Sequence, residues 1–338
     1  MPGSLTPWKR FLKERELLPS AFEEQNSSGR GQHAEYSKTE VGKVPLERCG
    51  QILGHSANAL VEVVKCKRIT LARKTIRCGR RMRREDAAKE VEHLQRLNHA
   101  HIVRVVGTYV FEHSRNLQIL IYPVADCDLE TYMETDFDRD VLVRFFGCLA
   151  HTIEYLHKKL IKHIDIKPKN ILVRYRYGSY EQAPKIYLAD FGIARSYESA
   201  LDAETCSPTA YTRTYAAPEV VAQETRGFKA DIFSLGCVFA EMLCALAYRS
   251  DELIGILQEN IEDKSFQANI ETVQYLVNSL RDQDLIHLGA DLAIFNCHRM
   301  LHRDPDMRPP ANIVLHYLPH HQCCIAMSDR LEVSSDYQ

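Results

Sequence analysis

A short polar loop and a nearby acidic turn carry the residues of this chain that are best suited to chemistry. Asp165 is followed by Lys167 and Asn170, and Asp190 stands 20 residues beyond Asn170, where it begins an Asp-Phe-Gly turn. Such a loop can bring a carboxylate, an ammonium group and an amide to one point, and the second carboxylate adds an oxygen ligand for a hard cation. Phosphoryl transfer from ATP needs this set: an acceptor for the proton of the attacking hydroxyl, a cation near the moving phosphoryl group, and ligands for Mg²⁺. The spacing therefore predicts a phosphoryl-transfer centre.

In order and separation, the motifs resemble those of the eukaryotic-type protein kinase superfamily, in its serine/threonine branch. The resemblance covers about residues 46–318. Lys74 ends a Leu-Ala-Arg-Lys segment that is similar to the family's phosphate-binding strand, and Glu90 has the spacing of the helical glutamate that holds this lysine. Glu92 should face away from Lys74, since it lies about 200° further round the helix than Glu90. Three more family positions match in the second half of the chain: Glu219 of an Ala-Pro-Glu motif, Asp231 and Arg308.

The resemblance implies an α+β, two-lobed protein kinase fold, with a small, mostly β N-lobe that carries one helix and a larger, mostly α C-lobe. We expect the kinase domain at 43–320, with the N-lobe at about 46–124 and the C-lobe at about 125–318. Residues 1–42 are expected to form a short helix followed by a flexible linker, and residues 321–338 a loose C-terminal tail.

The same resemblance assigns roles to individual residues. The implied catalytic residues are Asp165, Lys167, Asn170, Lys74, Glu90 and Thr212. Asp165 would orient the acceptor hydroxyl and take its proton, and Lys74 would contact the α- and β-phosphates. The residues implied to surround the nucleotide are Leu53, Gly54, Ser56, Ala59, Val61, Ala72, Lys74, Ile121, Tyr122, Val124, Asp128, Leu172 and Asp190. Asn170 and Asp190 would hold the metal, so the expected cofactors are ATP and Mg²⁺.

Two local features favour serine and threonine as the acceptors. Lys167 stands two residues after Asp165, and Thr212 stands seven residues before Glu219, both as in the serine/threonine branch. The expected partner is therefore a protein substrate with a serine or threonine hydroxyl. The sequence makes no prediction of the oligomeric state.

Two departures from the family pattern bear on the function. The segment 53–61 keeps only the first of three expected glycines, Gly54, while Ser56 and Ala59 stand where the others are usual. Glycine serves there because backbone N–H groups must approach phosphates without a Cβ in the way. In the family, the stretch between the Asp-Phe-Gly turn and the Ala-Pro-Glu motif is the activation segment, and an arginine binds a phosphate on it. Ile164 replaces that arginine here. Because of these departures, the alternative function is that of a pseudokinase, which acts as a nucleotide-binding or scaffold module. A small-molecule kinase is the third hypothesis.

Composition narrows the choice of partner and compartment. The chain has 338 residues, of which 45% are apolar and 26% charged, and a net charge of −2, which gives no electrostatic case for nucleic acid or membrane as a partner. A basic stretch at 65–84 could be a nuclear localisation signal or a nucleic-acid patch, but a solvated face is favoured. Eleven cysteines without a Cys-x-x-Cys pair, and no apolar signal segment, predict free thiols in an intracellular compartment, cytoplasmic or nuclear.

Several smaller features have structural interpretations. The apolar run 232–248 is predicted to be a buried helix rather than a membrane span, since it contains Glu241. Arg73 is expected to reach solvent, and the loop 175–184 to be an exposed insertion. His163 is expected to pack against Phe191.

Two groups of histidine and cysteine residues could bind a metal or pack in the core. Cys297, His298 and His302 could mimic a zinc site, but no fourth ligand is evident, so a packed helix face is favoured. His99 and His101 are expected to pack in the loop that follows the N-lobe helix.

Overall fold

The chain folds into two compact units. The computed structural model describes residues 32–56, 58–79, 84–112, 114–175, 183–192, 194–197, 212–224, 227–318 and 324. The first unit contains the described residues up to Gln95 and then Val103–Val124, and the second contains Arg96–Ile102 and those from Ala125 onward. One unit is built on a six-stranded sheet and the other is mainly helical, which confirms the predicted α+β, two-lobed protein kinase fold. The expectations for residues 1–31, 176–182, 321–323 and 325–338 lie outside the described residues. The expected loose tail was wrong at Cys324, which is buried.

The first unit is a sheet with one helix among its described residues. Its elements are β1 (His33–Tyr36), β2 (Glu47–His55), β3 (Ala59–Cys66), β4 (Ile69–Arg77), α1 (Arg84–Gln95), β5 (Arg104–Phe111) and β6 (Asn116–Tyr122). The strand order is β1-β5-β6-β4-β3-β2, with β1 parallel to β5 and all other neighbours antiparallel. Val64, Leu71 and Leu120 are fully buried on one face, because every second side chain of a strand points to the same side.

Part of the segment expected to be a linker is ordered. Strand β1 adds an edge to the sheet, and a short 3-10 helix follows at Lys38–Lys43, where the N–H of Ser37 donates to Glu40 at 3.0 Å. Ala34 and Tyr36 are buried in the apolar cluster of the sheet, and the Tyr36 ring packs edge-on to Tyr109 at 6.0 Å. The linker prediction was therefore wrong for this stretch, because two alternating apolar residues give too short a pattern to stand out from polar neighbours.

Arg73 is buried rather than exposed, so the expectation that it reaches solvent was wrong. The residue is 7% exposed, and its guanidinium donates to the hydroxyl of Tyr109 at 2.8 Å and pairs with Glu62 at 2.8 Å. A charged residue can occupy an inward position of a strand when its charge is matched, and here both terminal nitrogens of the guanidinium have partners, although Nε has none among the described residues. Both partners lie on neighbouring strands, which the sequence does not reveal.

The second unit is mainly helical. Its helices are α2 (Leu129–Met133), α3 (Arg139–Lys158), α4 (Pro218–Val221), α5 (Lys229–Leu246), α6 (Ser250–Glu259), α7 (Ile270–Ser279), α8 (Gln283–His287), α9 (Asp291–Met300) and α10 (Ala311–His316). Its strands are β7 (Cys127–Asp128), β8 (Ile161–Lys162), β9 (Ile171–Arg174), β10 (Lys185–Leu188) and β11 (Arg195–Ser196). Strands β10, β9 and β7 form a small antiparallel sheet, and β11 pairs with β8. These short strands flank the predicted catalytic loop, which contains a 3-10 turn at Pro168–Asn170.

Helix α5 forms the centre of the second unit. Almost all of its residues are buried, as expected for a helix that is apolar on every side. At Gly236 the helix approaches α9 so closely that an added Cβ would lie 2.9 Å from the Cβ of Met300. The prediction of a buried helix is confirmed, and no helix among the described residues is long and apolar enough to span a bilayer.

Candidate active site

Lys74 and Glu90 form a buried ion pair in the first unit. The Nζ of Lys74 on β4 lies 2.8 Å and 2.9 Å from the two carboxylate oxygens of Glu90 on α1. Their side chains are 13% and 3% exposed. Glu92 is exposed, as the 100° step of a helix predicts. The charge-assisted pair fixes the ammonium group at one place, which is what a lysine needs in order to hold a phosphate.

Asp165 is the centre of a hydrogen-bonded set in the second unit. Its Oδ1 accepts from the hydroxyl of Thr212 at 2.7 Å, and its Oδ2 accepts from Nζ of Lys167 at 2.7 Å and from Nδ2 of Asn170 at 2.9 Å. Lys167 also donates to the Thr212 hydroxyl at 2.7 Å, and Asn170 to the Asp165 carbonyl at 2.8 Å. The structure therefore brings these four predicted residues together.

The backbone of this loop is held by Asp231 on α5. The N–H groups of His163 and Ile164 each donate to its carboxylate at 2.9 Å, and His157 lies 3.2 Å from it. Burial alone would raise the pKa of Asp231, but hydrogen bonds from His157 and from the Ile164 backbone bring the pKa below its ordinary value. Ile164 has a φ of 71°, which a β-branched residue rarely adopts, and its bond to the carboxylate helps to hold that conformation.

His163 is a structural residue, as the sequence predicted. Its ring packs edge-on to Phe191 with a centroid distance of 4.7 Å. Nε2 donates to the carbonyl of Ala189 at 3.0 Å, while Nδ1 accepts from the N–H of Asp165 at 3.3 Å. Since both ring nitrogens are engaged, the imidazole positions the loop and has no free nitrogen with which to take a proton.

Asn170 and Asp190 offer the kind of ligand that Mg²⁺ prefers. Asn170 uses Nδ2 for its hydrogen bonds to Asp165, which leaves its amide oxygen to face a cation. The carbonyl of Asn170 accepts from the N–H of Ala189 at 2.9 Å, so the backbone next to Asp190 is tied to this loop. Amide and carboxylate oxygens suit a hard cation better than a soft one. That these two residues bind the metal remains a prediction.

The glycine-poor loop between β2 and β3 is closed by a serine. The N–H of Ser56 donates to the carbonyl of Ala59 at 2.8 Å, and the N–H of Ala59 donates back to the Ser56 hydroxyl at 3.1 Å. A hydroxyl bonded to backbone three residues on is a common turn device, and it occupies an N–H that would otherwise be available to a phosphate. The missing glycines are visible in the sequence, but this bond is not, because it depends on the conformation of the turn.

The other residues predicted to line the nucleotide site are divided between the two units. In the first, Gly54 pairs with Val61 across β2 and β3, and Ala72 pairs with Ile121 across β4 and β6. Leu53 lies beside Gly54 on β2. The register thus places these residues on neighbouring strands, and their contact with a nucleotide remains a prediction.

The remaining residues predicted to surround the nucleotide lie at the end of the first unit and in the second unit. Tyr122 ends β6 and Val124 ends the unit. In the second unit Asp128 pairs with Leu172 across β7 and β9. The Asp128 carboxylate accepts from the N–H of Thr131 at 2.8 Å, so it caps α2. The sequence pattern Asp-Leu-Glu-Thr could have indicated this cap, which was overlooked.

Arg308 and Glu219 join the end of the activation segment to the chain after α9. The two guanidinium nitrogens lie 2.7 Å and 2.8 Å from the two carboxylate oxygens, and both side chains are buried. Arg308 also donates to the carbonyls of His302, Lys229 and Arg303, so the buried guanidinium is well satisfied. The predicted pair is therefore present. Residues 198–211 of the activation segment lie outside the described residues.

A buried carboxyl group lies under the end of the activation segment. The hydroxyl of Tyr215 donates to Glu241 at 2.9 Å, and burial raises the pKa of Glu241 to about 8. Nearby, Lys169 pairs with Glu130 at 3.1 Å. The Tyr215 contact was not predicted, because it joins residues on elements that are far apart in the sequence.

Comparison with known proteins agrees with this geometry. The family model for the protein kinase domain matches residues 49–318. The chain is 29% identical over 231 residues to calcium/calmodulin-dependent protein kinase cmkA of Emericella nidulans, covering 64% of this chain and 51% of that protein. It is 34% identical over 169 residues to cyclin-dependent kinase 4 of Mus musculus, covering 46% and 50%. With cyclin-dependent kinase 7 of Dictyostelium discoideum it shares 31% over 169 residues, covering 48% and 43%. The chain spans about half the length of the curated relatives that it matches.

Proposed function

The chain belongs to the protein kinase domain family, and from that premise we propose that it is an ATP-dependent protein serine/threonine kinase. It transfers the γ-phosphoryl group of ATP to serine or threonine hydroxyls of protein substrates in a Mg²⁺-dependent reaction. The relatives named as kinases support this assignment.

The observation that carries the proposal is the hydrogen-bonded set around Asp165. One carboxylate oxygen is bonded to Thr212, and the other to Lys167 and Asn170, at 2.7 to 2.9 Å. A pseudokinase does not need a carboxylate, an ammonium group, an amide and a hydroxyl held within hydrogen-bonding distance of one another. An acceptor hydroxyl that approaches Asp165 would find an oxygen to take its proton and the Lys167 cation beside it.

The remaining groups bind and orient the nucleotide. Lys74, fixed by Glu90, contacts the α- and β-phosphates of ATP, and Lys167 stabilises charge on the γ-phosphoryl group. Asn170 and Asp190 hold Mg²⁺, which when bound neutralises phosphate charge. Most of the rate acceleration then comes from positioning and from charges that are already in place.

Serine and threonine specificity rests on the contact between Lys167 and Thr212. Their bond of 2.7 Å closes a ring with Asp165 that presents the carboxylate to a short acceptor side chain. The nine cysteines among the described residues form no disulfide with one another, which supports an intracellular location, cytoplasmic or nuclear.

The test is a comparison of three proteins in phosphorylation of a generic basic protein with Mg²⁺-ATP. Asp165→Asn should abolish transfer while nucleotide affinity stays nearly unchanged, because Asp165 contacts the acceptor and not ATP. Asp136→Asn, at an exposed position, is the matched control and should behave as wild type.

Asp190→Ala adds a second readout, since it should weaken binding of the metal-nucleotide complex as well as transfer. If wild type is no more active than Asp165→Asn on any protein, the pseudokinase alternative replaces this proposal. Phosphorylation of a small molecule without any protein substrate would instead support the third alternative.

A further inference from the structure

Three side chains of the types that bind metal ions meet in the interior of the second unit. They are His101, Cys148 and Cys324, and their ligand atoms all lie within 4.8 Å of one another. The Sγ of Cys324 is 3.2 Å from Nε2 of His101 and 3.8 Å from Sγ of Cys148. All three residues are buried, at 1%, 2% and 4% exposed. Neither sequence pattern nor family resemblance pointed to this cluster.

The three residues come from distant parts of the chain. His101 lies in the segment between α1 and β5, Cys148 on α3, and Cys324 beyond α10. The two sequence separations from Cys324 are 223 and 176 residues. Such a cluster cannot arise from local sequence preference, and it joins the chain after α10 to two inner elements of the unit.

The two distances from the Cys324 sulfur to the other ligand atoms are close to those around a tetrahedral zinc ion, and all three atoms lie within 4.8 Å of one another. Two sulfurs bound to zinc at about 2.3 Å stand about 3.8 Å apart, and a sulfur and an imidazole nitrogen about 3.6 Å apart. The observed sulfur–sulfur distance is 3.8 Å, and the sulfur–nitrogen distance of 3.2 Å needs only a small opening. A sulfur–sulfur bond, in contrast, would require the two atoms to approach to about 2.05 Å.

The imidazole of His101 is oriented as in a zinc site. Its Nδ1 lies 2.9 Å from the carbonyl of Ile186, which can only accept, so the ring proton is on Nδ1. Nε2 then presents its lone pair to the sulfurs. A histidine ligand typically donates its other ring N–H to a carbonyl or carboxylate in this way, which fixes both its tautomer and its direction.

The charge of such a site also suits its burial. Two thiolates and a neutral imidazole balance the charge of Zn²⁺, so with a neutral fourth donor the buried complex avoids the cost of an uncompensated ion. Cysteine and histidine together favour zinc over the hard cation that the oxygen ligands of the active site would take.

We propose that His101, Cys148 and Cys324 bind a zinc ion that fastens the chain beyond α10 to α3 and to the segment after α1. The site is structural, because it holds three separated parts of one unit and shares no residue with the hydrogen-bonded set of Asp165. Its remaining coordination position belongs to a fourth donor, which the proposal leaves unassigned and which spectroscopy can identify.

The first experiment measures metal in the full chain, purified with a reductant and dialysed against zinc-free buffer. Wild type should retain about one zinc per chain, and Cys324→Ser and His101→Gln should each fall below about 0.2. Cys66→Ser is the matched control, since Cys66 is an equally buried thiol of the first unit, and it should keep the wild-type zinc content.

The second experiment keeps the test valid if a substitution disturbs folding. Cobalt should replace zinc in wild type and give the charge-transfer absorption of thiolate ligands, which Cys324→Ser should weaken. A strong chelator should lower the unfolding temperature of wild type and leave that of Cys324→Ser unchanged, because only a bound metal stabilises the folded state by mass action.

Three results would overturn the proposal. The first is wild-type protein that binds neither zinc nor cobalt under reducing conditions. The second is a peptide map that shows a disulfide between Cys148 and Cys324 in protein that was purified without a chelator. The third is zinc content that falls equally in Cys66→Ser, which would mark binding to thiols in general.

Discussion

The hydroxyl of Thr212 donates a 2.7 Å hydrogen bond to the carboxylate of Asp165, which stands 47 residues earlier in the chain. Thr212 directly precedes the 3-10 turn Arg213–Tyr215, whose last carbonyl accepts from Ser234 on α5 at 2.9 Å. The carboxylate of Asp165, which we propose to be catalytic, is therefore linked through Thr212 to the turn Arg213–Tyr215, and through that turn to the central helix.

Thr212→Ala should lower kcat by about tenfold to a hundredfold, because a hydrogen bond to a charged group contributes about 1.5–3 kcal/mol. Thr212→Ser keeps the hydroxyl and should restore most of the activity. Both can be measured by steady-state kinetics on one protein substrate, with ATP affinity measured separately and expected to stay unchanged. Equal kcat for Thr212→Ala and wild type would show that the bond has no catalytic role.

Ser56→Ala should lower the KM for ATP by about threefold, because it frees the N–H of Ala59 for a phosphate oxygen. Ser114→Ala is the matched control, since the Ser114 hydroxyl also accepts from a backbone N–H in a turn of the same unit, at 3.1 Å. The control should leave KM unchanged. Ser56→Gly combined with Ala59→Gly should lower KM as well, with some loss of loop order. A raised KM in Ser56→Ala would mean that this loop does not cover the phosphates.

Arg308→Met should lower the free energy of unfolding by about 3–5 kcal/mol, because it leaves Glu219 as an unpaired buried charge. Arg303→Met provides the comparison, since Arg303 pairs with Glu271 at 3.2 Å at the surface. Such an exposed pair contributes about 0–1 kcal/mol. Urea unfolding of both variants checks the difference, and losses of the same size would contradict the role given to the buried pair.

Glu241→Gln should remove a pH dependence of stability. In the folded protein burial raises the pKa of Glu241 to about 8 from an ordinary 4.5. Between these values the folded state holds the proton and the unfolded state does not. The free energy of unfolding of wild type therefore falls as pH rises through this window, by at most about 1.4 kcal/mol per pH unit.

The Gln variant keeps an acceptor for Tyr215 but has no proton to hold. Urea unfolding of both proteins at several values between pH 5 and pH 8 should show the variant gaining in stability over wild type as pH rises. A difference that stays constant with pH would show that Glu241 titrates normally.

The family resemblance predicts that Asp128 binds a basic residue upstream of the acceptor, because kinases that prefer basic substrates bind arginines with acidic side chains at this position and at that of Lys169. Asp128→Asn should therefore weaken a preference for one basic residue upstream of the acceptor on a peptide library. The substitution removes the charge and keeps an oxygen that can cap α2 through Thr131, so it separates recognition from helix stability. Reversal of charge with Lys would remove both. We expect only a moderate preference, since Lys169 stands at another such position, although Glu130 offsets its charge. A library profile that does not change in Asp128→Asn would contradict the role in recognition.

Local sequence was enough where a function needs fixed residue types at fixed spacing. Asp165, Lys167 and Asn170 lie on one loop, so their convergence follows from the chain itself, and the order of the remaining motifs implied the fold. The spacing of Glu90 within the family motif identified it as the partner of Lys74, and the helical step showed that Glu92 faces elsewhere. Burial of α5 was predictable because its residues are apolar on every side.

Tertiary structure decided what depends on partners from elsewhere in the chain. Arg73 was expected in solvent, yet Tyr109 and Glu62 on neighbouring strands allow it to be buried. The meeting of His101 with two cysteines could not be read from sequence, because the contacts span 176 and 223 residues. Short-range patterns report which face of an element is apolar, but only the packing of elements sets which polar groups meet.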